Sequence, residues 1–170
     1  MKALVAGLLL LGLLVPQTGT LTFTAPDSWK PRPACSAMRV AAFVVPKLSS
    51  DSEHAEVVVY FFAGGGGSVD ANIQRWVGQF QQPDGAAAKA SGRSTFEVGN
   101  LKVTNIDVSG TYVAEVRPGA TERLNKPNFS MRAAVVETPK GLYFVKFTGP
   151  AATVTAGSPA FDQFLKTLRF

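Results

Sequence analysis

Cysteine and histidine are nearly missing from this 170-residue chain, which has one of each, Cys35 and His54. A lone cysteine excludes an internal disulfide, so the fold must stand on its apolar core. The lone histidine excludes a multi-histidine metal centre, and nearby Asp51, Glu53 and Glu56 lack the spacing of a calcium loop. Acids are short as well, 12 against 17 bases, for a formal net charge of +5. The bases are scattered with no run of three, so the stripe or module that grips nucleic acid is absent. No Gly-x-Ser-x-Gly elbow appears. Nor does any pair of carboxylates share a predicted surface as glycoside hydrolysis would need.

Long apolar runs are also few. Ala3 to Val15 is the exception: thirteen residues without an acid, behind Lys2 and ended by Pro16. About 20 residues are needed to span a bilayer. This run instead has the length of a secretory h-region. We therefore expect residues 1–20 to be a signal peptide, an uncleaved anchor being the alternative, and residues 21–170 to be one domain. Cys35 lies too far downstream to be an acylation site. The expected destination is the periplasm or the extracellular space, and the chain meets the membrane only through the leader before cleavage. Losing the leader removes Lys2 and no acid, which leaves a weakly basic chain.

The rest alternates between two periods. Leu21–Thr24, Met38–Val45 and Ala55–Phe62 read as strands, the last so continuously apolar that it should be central and covered on both faces. Trp29 sits among Pro26, Pro31 and Pro33, where it should plug the core edge. Lys47–His54 reads as a polar loop. Four glycines, Gly64–Gly67, then precede a helix whose stripe is Val69, Ile73, Trp76, Val77 and Phe80. Ser68 is its expected N-cap, and Asp70 suits the positive end of its dipole. Gln81–Gly85 should end it, and Gly85–Gly92 should be a loop.

Period two returns at Phe96 and Val98, Lys102–Val108 and Thr111–Val116, with breaks at Gly99-Asn100 and Ser109-Gly110. Arg117–Asn128 reads as a long loop. Phe129–Glu137 and Leu142–Thr148 form a hairpin about Thr138-Pro139-Lys140-Gly141. A final helix should start with Ser158 as cap and Pro159 in its first turn, docking Phe161, Phe164, Leu165 and Leu168 on the sheet. The fold class is thus α+β: a mainly antiparallel sheet flanked by two principal helices.

Two stretches carry a resemblance. Leu21-Thr22-Phe23-Thr24-Ala25-Pro26-x-x-Trp29 is similar to the opening of many PsbP-like domains. Tyr143–Phe147, Gly149-Pro150 and Phe161–Phe170 resemble their close. That group spans the PsbP proteins of photosystem II, Ran-binding nuclear import factors and DcrB-like envelope proteins. Residues 64–80 look like uncharacterised secreted proteins of planctomycete-type bacteria. The resemblance implies a PsbP-like sandwich and a non-catalytic accessory or binding role, and it carries over no site residue.

One segment suggests a site. A glycine-rich turn ahead of a helix can cradle an anion, because free amides and the helix dipole point at it. Here that means Gly64, Gly65, Gly66, Gly67 and Ser68, with Asn72 and Arg75 following. The alternative is a connection in which only glycine tolerates the dihedrals. The Gly-Lys-Ser/Thr ending of a nucleotide loop is missing. Trp76 reads as core and Arg75 as solvated. The densest basic region, Arg117, Arg123, Lys126 and Arg132, reads as a solvated connection or a contact for an anionic partner or membrane surface. Asn128-Phe129-Ser130 fits a glycosylation pattern. Cys35 reads as a small hydrophobe, an intermolecular disulfide partner or a reactive thiol.

No catalytic, cofactor or metal residue is assigned, and oligomeric state has no signature here. The leading expectation is a non-catalytic secreted or envelope protein that binds an envelope protein or polymer, with no nucleic acid. A small-molecule or lipid carrier, with a pocket lined by some of the twelve phenylalanines, is one alternative. A hydrolase assembled around His54 or paired acids is the other.

Overall fold

The computed structural model describes residues 19–34, 36–63 and 65–170. The expected leader, apart from its last two residues, lies outside that range, as do Cys35 and Gly64.

The β-branched and aromatic runs build one antiparallel sheet. Its strands are β1 (Lys30–Arg32), β2 (Arg39–Val45), β3 (Ala55–Phe61), β4 (Phe80–Gln81), β5 (Gly92–Val98), β6 (Leu101–Tyr112), β7 (Lys126–Thr138) and β8 (Gly141–Pro150). They lie in the order β1-β2-β3-β8-β7-β6-β4, with β5 pairing β6 beside β4. β3 is internal, as its apolarity demanded, and Val57, Val58 and Val59 are buried. β1 falls in the proline-rich stretch. Pro31 cannot donate to a ladder, which suits an edge strand and discourages further pairing.

The two helices cover opposite faces. α2 (Ala151–Lys166) lies on one, where Phe161, Phe164, Leu165 and Leu168 are each at most 1% exposed. They pack with Val57, Val59, Val145, Phe147 and Trp29. Trp29 packs against Phe164 with ring centroids 5.2 Å apart. α1 (Val69–Val77) lies on the other face, where Ile73 and Trp76 meet Ile106, Met131, Val135 and Phe144. The alternation of β8 serves both layers: Tyr143, Val145 and Phe147 point to α2, and Phe144 points to α1.

Several boundaries differ from the sequence reading. α2 begins seven residues before Ser158, so Ser158 is no cap; its hydroxyl donates to the Val154 carbonyl, and Pro159 sits inside the helix. The cap comes instead from the distant loop before β3: Asp51 Oδ2 accepts from the Thr153 amide at 2.9 Å. Gly157 lies within α2. It is glycine because a Cβ there would press into the Phe147 ring.

α1 stops at Val77, where the Gly78 amide bonds back to Gln74, and Phe80 leaves the helix to pair with Tyr112. Phe80 still reaches the same core at 1% exposure. Ser109-Gly110 does not break β6. Gly110, at φ 147°, lets the Gln81 backbone cross where a side chain would collide. Conversely, Thr111–Val116 is no separate strand: β6 ends at Tyr112, and Glu115 sits in an isolated bridge with Arg123. β7 starts inside the expected loop at Lys126, with Asn128 at φ 56° where the β6–β7 register shifts. Leu21–Thr24 forms only a bridge, Thr22 to Arg169, which ties the start of the described chain to its end.

Candidate functional site

The glycine turn comes first, because sequence pointed to it. Ser68 caps α1 as expected, its hydroxyl accepting from the Ala71 amide at 3.1 Å. Gly66 and Gly67 take φ values of 117° and 72°, open to glycine. Asn72 is 1% exposed and turned back into the turn. Its amide nitrogen donates to the Gly66 carbonyl and, at 2.8 Å, to the Ser68 carbonyl, while its oxygen accepts from Arg75. Gly65–Ser68, Asn72 and Arg75 are therefore brought together, as a turn stitched to its helix with the Arg75 guanidinium at its edge. Asp70 is drawn sideways to Arg93 at 2.7 Å.

A second group, missed in the sequence, lies on the same face of the sheet. Lys146 is the polar residue of the run Tyr143–Phe147 in β8. Its cross-strand neighbours are Val58 on β3 and Ala133 on β7, neither with a polar side chain. Its ammonium donates to Gln79 Oε1 at 3.1 Å, just beyond α1. Burial pulls its pKa down to about 8; Arg75 and Arg39 push the same way, and Glu56 opposes. Tyr60 lies two residues along β3 from Val58, with the Arg39 guanidinium 5.7 Å from its ring centroid. Burial raises the Tyr60 pKa against the pull of Arg39. Burial likewise lifts Tyr112 to about 12, with Tyr60 and Glu56 adding to it. Glu56 is the carboxylate of the group, 3.2 Å from Arg32 and 4.0 Å from Arg39. Glu56 is thus held by Arg32 and Arg39, while Lys146 feels both Glu56 and the Arg75 guanidinium. The signal available in the sequence was a lysine within a strand otherwise apolar.

The remaining candidates are scattered. His54 Nδ1 accepts from the Lys47 amide at 3.0 Å in its own loop. Asp51 caps α2, Glu53 pairs with Lys126 at 2.5 Å, and Glu56 faces the arginines, so these three acids do not converge. Among the described residues, no three His, Cys, Asp or Glu side chains stand within reach of one metal ion. The basic region is largely internally paired: Arg123 with Glu115, Lys126 with Glu53, and Arg132 with Asp107 and Asp162. A shallow groove of about 490 Å³ runs between α1 and the following loop, lined by Ile73, Gln74, Val77 and Ala88.

No family model and no curated protein sequence matches the chain. Solved structures do match it in shape. A Pseudomonas aeruginosa protein of unknown function, PA94, superposes with TM-score 0.54 at 16% identity, over 89% of this chain and 98% of its own. LpqN, involved in cell envelope biogenesis of Mycobacterium tuberculosis, gives 0.54 at 12% identity, over 88% and 82%. The cyanobacterial PsbP of Synechocystis gives 0.51 at 11% identity, over 88% and 85%. At such identities the likeness is one of fold: the chain has the PsbP-like α+β architecture.

Proposed function

We propose that this is an exported envelope accessory protein that acts by binding a partner, with the α1-side face of the sheet as its contact surface. The observation that carries the reading is the cationic group around Lys146, held on a rigid sheet beside a stitched turn. Binding sites placed on strands and helix ends are held more firmly than those on free loops. The leader-like start and the structural likeness to an envelope biogenesis protein support an exported address. The resemblance of residues 64–80 to planctomycete-type secreted proteins agrees with it. Five of the twelve phenylalanines, Phe80, Phe144, Phe147, Phe161 and Phe164, are fully buried in packing, which leaves fewer for a carrier pocket.

Capture from the native envelope fraction tests the reading. The wild-type protein and a Lys166→Ala variant, altered on the α2 side, should retain the same partner. An Arg39→Ala/Lys146→Met variant that melts cooperatively should lose it. Loss on the Lys166 side with retention in the double variant would assign binding to the wrong face.

A further inference from the structure

Resting on that choice of face, we propose that Lys146 and Arg75 form an oxyanion site, which takes a carboxylate or phosphate group of the partner between the Lys146 ammonium and the Arg75 guanidinium. Among the described residues, these two cations are satisfied by neutral amide oxygens, Lys146 by Gln79 and Arg75 by Asn72. Among the described residues neither has a carboxylate within ion-pair distance, whereas Glu56 is already engaged by Arg32 and Arg39. An ammonium carries three donors, and Gln79 uses one. Val58 and Ala133, the cross-strand neighbours, can accept nothing through their side chains.

A half-buried charge between apolar strands is costly unless an opposite charge meets it. Every charged or titratable group facing Lys146 leaves that role to a ligand. Arg75 on α1 and Arg39 on β2 repel it, and Glu56 on β3 attracts it from its own pairs. Tyr60 on β3 and Tyr112 on β6 stay protonated through neutral pH and can only donate to an anion. Asn72 fixes Arg75 from the glycine turn, so the turn suspected from sequence contributes by positioning that guanidinium.

Sulfate is a suitable probe, because it remains a dianion throughout the pH range used. Titrated into the intact protein and followed by NMR, it should shift Lys146, Arg75 and Tyr60 signals at millimolar concentration. It should also raise the Lys146 titration midpoint. By proton linkage, a rise of about one unit weakens sulfate binding about five- to tenfold between pH 7 and 9.5. Lys146→Met should bind at least about tenfold less tightly, and Lys166→Met should bind like the wild type. Parallel titrations with acetate and phosphate rank the carboxylate and phosphate classes. Absence of shifts with all three anions, or pH-independent binding that survives Lys146→Met, would overturn the oxyanion site. Partner capture that still depends on Arg39 and Lys146 would then leave the choice of face standing. Capture indifferent to both residues would remove it too.

Discussion

Lys146 puts the tension of this molecule into a single side chain. Its ordinary pKa is 10.5 and its folded value about 8, so between these pH values the unfolded chain holds more protons. Stability must therefore rise with pH across that window. Tyr112 acts in the opposite sense. Its ordinary value is 10.0 and its folded value about 12, so the unfolded chain loses that proton first and stability falls above pH 10. The melting temperature should climb from pH 8 to about pH 10 and then drop. Lys146→Met should abolish the climb and keep the drop, and it should melt higher than the wild type at neutral pH. A flat wild-type profile from pH 8 to 10 would contradict this. Phe164, 1% exposed against Trp29 and Phe23, is the opposite kind of residue. Phe164→Ala should cost about 3–5 kcal/mol in denaturant unfolding. Phe164 was legible from helical spacing alone. Lys146 was not, because period-two reasoning assigns strand faces without saying which polar residue will be left half-buried beside a helix.

Between elements, caps and crossings decided where sequence reading went astray. Strand identity was readable, since β2, β3, β7 and β8 follow β-branched and aromatic runs. α1 was readable from Ser68 and its stripe. The start of α2 was hidden, because its cap is Asp51, about a hundred residues earlier, and local capping rules see only neighbours. Asp51→Ala should therefore cost about 1 kcal/mol of stability. Ser158→Ala should change it by less than about 0.5 kcal/mol, as for most residues without a special role. The reverse ranking, measured by chemical denaturation, would restore Ser158 as the helix start. Gly157→Ala should also destabilise, by about 1–3 kcal/mol, because the added methyl overpacks Phe147. Gly110 reads as a break in sequence, yet like Gly157 it lies inside an element at a close approach. Their need for glycine comes from a distant residue, Phe147 or Gln81.

At the scale of the whole molecule, the sheet has two sides with different uses. The α2 side is closed by Phe161, Phe164, Leu165 and Leu168. The α1 side is only partly closed by a nine-residue helix, and beside that helix the cations gather. The glycine turn was visible in sequence as part of this side. Lys146 came to the same face only through the pairing of β8 with β3 and β7. Photo-crosslinking in the native envelope fraction tests the account most directly, with a crosslinker placed in turn at Arg39, Gln79, Ala160 and Gln163. The account predicts that one partner is captured from Arg39 and Gln79 and none from Ala160 and Gln163. The same partner captured only from the α2 positions would contradict it.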